Sequence, residues 1–182
     1  VLDILSAAIP DDWIIYYKEN ASIFINSSIL KGALCRDKHY YERLAQYKNI
    51  KMVSTDISTF DLIDHAQAVS TVTGTVAWEA VVRGVPSISF GSSIWYAGCN
   101  SIFSVRTFDE AKEEIKKIVN GYKPDQNDIE RYTASIEKVA SKNILTTGNY
   151  KREIKGIENP DIELVKIAEE LHKAYIENYS NK

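Results

Sequence analysis

Short apolar runs alternate with amphipathic stretches along most of the chain. The runs hold four or five residues and are rich in β-branched and aromatic side chains, which is typical of strands. They predict strands over residues 13–17, 50–53, 68–72, 86–90 and 102–105. The amphipathic stretches predict helices over residues 2–8, 37–47, 56–66, 76–83, 107–119 and 125–142. This alternation predicts an α/β fold with a doubly wound, Rossmann-like parallel sheet that helices cover on both faces.

Polar and small residues mark the ends of several predicted helices. Thr107, followed three residues later by Glu110, forms a capping-box pattern at the start of the fifth helix. Ser58 can cap the third helix, and Gly84 ends the fourth. These signals support the helix positions that the apolar periodicity predicts.

The length of 182 residues is that of one domain of ordinary size. The last two predicted helices, over residues 125–142 and 161–178, are not followed by strands. We therefore expect a single Rossmann-like domain over 1–182, in which residues 125–182 form a C-terminal helical extension. Val1 falls partway through a predicted helix, so we also expect the chain to be a piece of a longer protein.

The composition narrows the classes of function. A net charge of −3 and a pI near 5.7 give no reason to expect nucleic-acid binding. No apolar run approaches the roughly 20 residues of a membrane span. Cys35 and Cys99 are far apart and lie outside any CxxC pair, which favours a reducing compartment such as the cytoplasm. The histidines lack metal-binding spacing, so we expect no metal site.

The stretch over residues 68–91 carries the clearest signal for a ligand. A predicted strand leads through the turn Thr73-Gly74-Thr75 into a helix, and ligands of open parallel sheets bind beyond the carboxyl ends of strands. Backbone N–H groups and threonine hydroxyls at such a turn can bind phosphate. Glu79 could accept hydrogen bonds from the ribose hydroxyls of a nucleotide. The alternative is a turn that binds nothing, with Glu79 favoured only by the helix dipole.

A second candidate segment follows the first predicted strand. Lys18 is suited to contact a phosphate, and Glu19 and the adjacent Asn20 could contact a sugar or base. The alternative is a solvated loop.

A third candidate segment follows the strand over 86–90. Gly91, Trp95 and Tyr96 border the same predicted crevice, and the two aromatic rings could stack on a base or a sugar. The alternative is that these rings cover the core or pack on a further domain.

Taken together, these segments resemble the capsule polysaccharide biosynthesis family, which includes Kdo transferases that use a CMP-activated sugar. The resemblance extends over about residues 8–105. It is carried by Trp13, by YKEN at 17–20, by HYYERL at 39–44, by TVTGTVAWEA at 71–80, by GVP at 84–86, and by FG at 90–91 with WY at 95–96.

The resemblance implies a two-domain glycosyltransferase of the GT-B type, of which this chain is the C-terminal, donor-binding half. By position, Thr73, Gly74 and Thr75 would hold the phosphate and Glu79 would lie by the ribose. Lys18 and Glu19 would line the donor pocket. The donor would be a CMP- or UDP-linked sugar, bound as a substrate without a further cofactor.

The same resemblance implies partners and a location. The acceptor would be a glycan or glycolipid, and an N-terminal domain of the same protein would complete the enzyme. The chain alone would bind nucleotide without turnover, in the cytoplasm or at the inner face of the cell membrane. No catalytic residue is assigned.

One departure from the family pattern keeps alternatives open. The family reads Lys-Glu-His-Pro where this chain has Asn20 and Ala21 after Lys18 and Glu19. An asparagine donates a hydrogen bond but carries no proton for acid catalysis. Two other functions are therefore weighed: a non-catalytic interaction module of a polysaccharide assembly system, and one half of a sugar-nucleotide epimerase.

Overall fold

The computed structural model describes residues 1–24, 36–91 and 95–139, together with Glu169 and Lys173. The chain divides into two compact units, Val1–Tyr132 and Thr133–Lys182. All the described strands belong to the first unit. The predicted helix over 161–178 lies outside the described residues, apart from those two positions.

Strands and helices alternate in the described chain, as the sequence predicts. The strands are β1 (Ile15–Lys18), β2 (Ile50–Val53), β3 (Val69–Thr71), β4 (Ser87–Ser89) and β5 (Ile102–Ser104). The helices are α1 (Leu2–Ala8), α2 (Lys38–Leu44), α3 (Thr59–Asp64), α4 (Val76–Val82), α5 (Phe108–Val119) and α6 (Gln126–Val139). One turn of 3₁₀ helix, Ala21–Phe24, follows β1.

Every strand pairing in the described residues is parallel. β1 pairs with β2, with Ile15 opposite Ile50. β3, β4 and β5 form a second sheet in that order, with Val69 opposite Ser87 and Ser87 opposite Ile102. The prediction of a Rossmann-like α/β fold with parallel strands is confirmed.

The predicted helix ends are present. The Thr107 hydroxyl accepts from the backbone N–H of Glu110, and the Glu110 carboxylate accepts from the N–H of Thr107, which completes a capping box. The Ser58 hydroxyl accepts from the N–H of Asp61 at the start of α3. Gly84 has a φ of 76° and ends α4. The positive φ explains why a glycine stands there.

One hydrophobic cluster lies where α1 and α5 pack together against the sheets. Its buried members are Leu5, Ala8, Ile88, Val105, Ala111, Ile115 and Ile118. Ile15 of β1 and Ala68 next to β3 both pack against this cluster. The two sheets therefore share one core.

Two further clusters involve α4. In the first, Ala80 packs with Ile63 of α3 and with Val85. In the second, α4 meets the loop before β5 and the start of α6, through Ala77, Val81, Tyr96, Cys99, Ile102 and Ile129. The small residues Ala77 and Ala80 are fully buried, so α4 approaches the strands closely. Helices thus cover both faces, with α1 and α5 on one and α3 and α4 on the other.

The described helices include none that is long and apolar enough to cross a membrane.

Candidate functional site

An open groove lies between β1 and β3, and we call it the β1–β3 groove. It is lined by both strands and by the segments that follow their carboxyl ends. It brings together seven of the residues predicted for the site, namely Lys18, Glu19, Asn20, Thr73, Gly74, Thr75 and Glu79. The two segments are about 55 residues apart in sequence, and both border the groove because each follows the carboxyl end of one of its two strands.

The turn over Thr73–Thr75 is held from two sides. The Gly74 N–H donates to the Thr71 hydroxyl at 3.1 Å. On the other side, the Tyr96 hydroxyl donates to the Gly74 carbonyl at 2.8 Å. A Cβ on residue 74 would lie 2.8 Å from the Thr71 Oγ1, so this glycine is needed for a close approach. The turn is therefore fixed before any ligand arrives.

Glu79 and Thr75 are in direct contact at the first turn of α4. The Thr75 hydroxyl donates to Glu79 Oε1 at 2.7 Å. Thr75 itself is exposed and Glu79 half-buried, so both border the groove. The pair offers a hydroxyl and a carboxylate to a ligand, and the role of Glu79 beside a ribose stays a prediction.

Glu19 lies in a buried network at the end of β1. Its carboxylate is only 4% exposed. Arg36 Nε donates to Glu19 Oε1 at 2.6 Å, and the Tyr17 hydroxyl donates to the same oxygen at 3.0 Å. The Tyr17 and Tyr40 hydroxyls are 2.6 Å apart, and the Arg36 guanidinium lies 4.4 Å from the Tyr40 ring centre. Glu19 thus has internal partners that anchor the segment after β1.

Burial raises the pKa of Tyr17 well above its ordinary value, and the hydrogen bonds to Tyr40 and Glu19 raise it further. The phenol is therefore neutral at physiological pH and can only share a proton within the network. Tyr17 and Tyr40 lie in motifs that carry the family resemblance, but the sequence predicts no site role for them or for Arg36. No spacing rule connects them, since Arg36 is 17 residues from Glu19 and approaches it only in the fold.

Lys18 and Asn20 flank this buried carboxylate. Lys18 is half-buried at the last position of β1, opposite Val53. Among the residues that the structure describes, its ammonium forms no ion pair. Asn20 is exposed, and its carbonyl accepts from the Ile23 N–H at 2.9 Å as the 3₁₀ turn begins. Lys18 is therefore the side chain of this segment that is available to an anion.

Gly91 and Tyr96 lie beside the groove and border a small cavity behind the turn. A Cβ on residue 91 would lie 2.3 Å from the Val72 carbonyl oxygen, so this glycine lets the loop after β4 contact the loop after β3. Tyr96 is 1% exposed and belongs to the core. Its hydroxyl donates to the Gly74 carbonyl, so Tyr96 holds the turn from the side of the core.

Trp95 is the exposed aromatic residue of this loop, with 49% of its surface accessible. Its ring meets the Trp78 ring edge-on, with 5.2 Å between centres, and the Tyr132 hydroxyl donates to its carbonyl. Trp95 does not line the groove as described. Stacking on a base or sugar stays a prediction for Trp95, whereas the buried Tyr96 ring covers the core, which is the alternative stated for this segment.

Asp128 in α6 has a second buried carboxylate, for which the sequence predicts no role. It is 6% exposed and accepts from the Ser101 N–H at 2.8 Å and the Ser101 hydroxyl at 2.9 Å. Arg131 donates to its other oxygen at 3.1 Å. Burial alone would raise the pKa of Asp128, but these hydrogen bonds outweigh it and the net pKa is lowered. This carboxylate fastens α6 to the loop before β5.

No group of three or more histidine, cysteine, aspartate or glutamate side chains that could hold a metal is found in the part of the chain that the structure describes. The free thiol of Cys99 is buried, and burial raises its pKa.

These features define a Rossmann-like α/β domain with an open groove at the carboxyl ends of parallel strands. Residues 29–150 match the family described as "Capsule polysaccharide biosynthesis protein". This match spans more than half of the chain, so the protein belongs to that family and has a role in capsule synthesis. It includes the turn over Thr73–Thr75 and Glu79, whereas Lys18 lies before it. No curated protein and no solved structure matches the chain.

Proposed function

We propose that this domain binds a nucleotide sugar and is the donor-binding half of a GT-B glycosyltransferase in capsule polysaccharide biosynthesis. The observation that carries the proposal is the β1–β3 groove, where Lys18 and the turn over Thr73–Thr75 come together. Membership of the capsule polysaccharide biosynthesis family supports it. The class of molecule that suits such a groove carries phosphate and hydroxyl groups.

In this proposal each side chain has a chemical task. Lys18 is a point charge for a phosphate, and the Thr73 hydroxyl donates to a phosphate oxygen. The Thr75 hydroxyl, which donates to Glu79 in the structure, turns to the phosphate when the ligand binds. Glu79 accepts hydrogen bonds from the ribose. As the sugar–phosphate bond breaks, negative charge grows on the departing phosphate, and a fixed cation and donors stabilise it.

The remaining partners follow from the same proposal. The acceptor is a glycan or a glycolipid, and a second domain of the same protein presents it. A CMP- or UDP-linked sugar is the donor, so the enzyme would act in the cytoplasm or at the inner face of the cell membrane.

A thermal-shift panel with CMP, UDP, GDP and their sugar conjugates tests the proposal. A ligand at 100 times its Kd raises the free energy of unfolding by about 2.7 kcal/mol. For a chain of this size that is a rise in Tm of roughly 5–10 °C. We expect one nucleotide to produce such a rise and the others to produce less.

Matched variants assign the response to the groove. Lys18→Ala removes a charge-assisted hydrogen bond of about 1.5–3 kcal/mol, so Kd should increase by roughly 10- to 100-fold. Lys51→Ala is the control, because Lys51 is an exposed strand lysine on β2 that does not line the groove. Equal responses in the two variants would contradict a phosphate site at Lys18.

The second candidate function is a non-catalytic interaction module of a polysaccharide assembly system. Two observations favour it: Asn20 cannot carry a proton, and the Glu19 carboxylate is already bound by Arg36. The same panel discriminates, because an interaction module has no nucleotide preference and its Tm would change with none of the ligands.

A further inference from the structure

The inner edges of β1 and β3 face each other without pairing. Among the described residues no backbone hydrogen bond joins the two strands. On β1, the N–H of Ile15 donates to Asn49 at the β2 side. Because successive residues of a strand point their N–H groups to opposite edges, those of Tyr16 and Lys18 face the groove.

The backbone groups of β3 also alternate between β4 and the groove. The N–H of Val69 donates to the Pro86 carbonyl, and the Thr71 carbonyl accepts from Phe90, both at the β4 side. The N–H and carbonyl of Ser70 therefore face the groove. Among the described residues these groups have no backbone partner, and buried backbone N–H and carbonyl groups strongly favour partners.

Helices from both layers enclose the space between these walls. On one face it is lined by Leu5 of α1 and Ile115 of α5, and on the other by Leu62 and Ile63 of α3. A space bounded by two strand edges and two apolar helical layers has the environment of a central strand in a parallel sheet.

We propose that the β1–β3 groove accepts a further parallel β-strand, which belongs to the same polypeptide and is joined to the N-terminal end of α1. The strand completes one continuous sheet in the order β2, β1, added strand, β3, β4 and β5. Its side chains are apolar on both faces, because both faces meet helices.

The handedness of strand–helix–strand connections identifies the segment. From β3 the chain passes through α4 to β4, away from the groove. Parallel connections of this kind are right-handed in about 98% of cases. Helix α1 lies on the opposite face from α4, so a right-handed connection through α1 must run in the opposite direction. A strand that leads through α1 to β1 consequently lies on the β3 side of β1, which is the groove.

The added strand would also affect nucleotide binding, an expectation that rests on the proposed function. Its carboxyl end would emerge between Lys18 on one side and the turn over Thr73–Thr75 on the other. The loop from this strand into α1 would then stand at the centre of the donor site. A domain that lacks it would bind nucleotide more weakly than one that has it.

Site-resolved amide hydrogen exchange tests the strand without any nucleotide. In the 182-residue chain we expect the amides of Tyr16, Lys18 and Ser70 to exchange at least about tenfold faster than those of Tyr17 and Val69, which pair with neighbouring strands. Fusing an apolar, β-branched segment of about six residues and a short polar loop before Val1 should slow the three fast amides by about tenfold or more.

A matched fusion with two prolines within the strand is the control, because proline cannot complete the ladder. Protection by both fusions, or by neither, would overturn the proposal. Protection of the three amides in the 182-residue chain alone would also overturn it. In that case loss of protection on dilution would assign the groove to a second copy, and persistence would assign it to a segment of the same 182 residues. Since no ligand is present, a failure here is separate from a failure of nucleotide binding.

Discussion

At the scale of single residues, the buried ion pair of Glu19 and Arg36 governs the segment after β1. Glu19 is 4% exposed and shares one oxygen between Arg36 and Tyr17. A carboxylate in such a site needs its cation, because the desolvation of an unpaired buried charge is unfavourable. The pair explains how Lys18, the neighbouring residue, is held at the groove.

Arg36→Met should lower the free energy of unfolding by about 3 kcal/mol, because it leaves the Glu19 carboxylate buried without its partner. Urea unfolding followed by circular dichroism measures the change. Arg83→Met is the matched control, since Arg83 pairs with Asp64 at the surface and both side chains are well exposed. Surface pairs contribute little, so the control should lose much less. An equal loss in both variants would show that burial of Glu19 is not decisive.

Gly91 is the second residue whose identity the fold requires. Gly91→Ala would place a Cβ 2.3 Å from the Val72 carbonyl oxygen, and backbone must shift to relieve that contact. We expect a loss of about 1–3 kcal/mol in unfolding free energy, measured by urea titration. In Gly98→Ala the nearest atom is the Tyr132 Cε2 at 3.1 Å, a side chain that can move. A Gly98→Ala loss as large as that of Gly91→Ala would argue against the backbone contact.

At the scale of elements, Asp128 joins α6 to the loop before β5 through the oxygen that accepts from the Ser101 N–H and hydroxyl, while Arg131 of the same helix donates to its other oxygen. This contact lies behind Tyr96, which in turn supports the turn at Gly74. The contact between α6 and this loop therefore also helps to hold the turn at Gly74, which borders the candidate site.

The lowered pKa of Asp128 gives a pH dependence with a defined sign. Above about pH 4 the carboxylate is ionised in both states, and its contribution to stability is fully present. As the pH falls, the unfolded chain takes up the proton first, so stability falls until the folded state is protonated too. Asp128→Asn should be less stable than the parent at pH 7 and should lose less stability between pH 5 and about pH 2.

Thermal unfolding across that pH range measures the effect. Glu130→Gln is the control, because Glu130 is exposed on the same helix. A parent chain and an Asp128→Asn variant with parallel pH profiles would contradict a folded-state pKa shift.

At the scale of the whole molecule, the proposed function makes this domain one half of a two-domain enzyme. Asn20 carries no proton for acid catalysis, and the Glu19 carboxylate beside it is buried and bound by Arg36. We expect this chain to bind nucleotide without transferring or hydrolysing the sugar. Release of free nucleotide from CMP- and UDP-linked sugars, with and without a glycan acceptor, measures this. Turnover that Lys18→Ala abolishes and Lys51→Ala retains would contradict it.

The order and type of the described elements could be predicted from the sequence, because hydrophobic periodicity and helix caps are local signals. Thr107 with Glu110 and Gly84 stand where their caps require them. The family resemblance was readable for the same reason, since the residues over 71–80 lie in one continuous motif. The fold class follows from the alternation of strands and helices.

Which of the candidate residues share a surface depends on contacts between segments that are distant in sequence. Tyr96 is a plausible stacking residue in sequence, yet its ring is buried because the loop before β5 folds under the turn at Gly74. Arg36 pairs with Glu19, although the two residues are 17 positions apart in the sequence. The space between β1 and β3 depends on how the two sheets are placed relative to each other. These features arise from contacts between distant segments, and local sequence patterns carry no information about such distances.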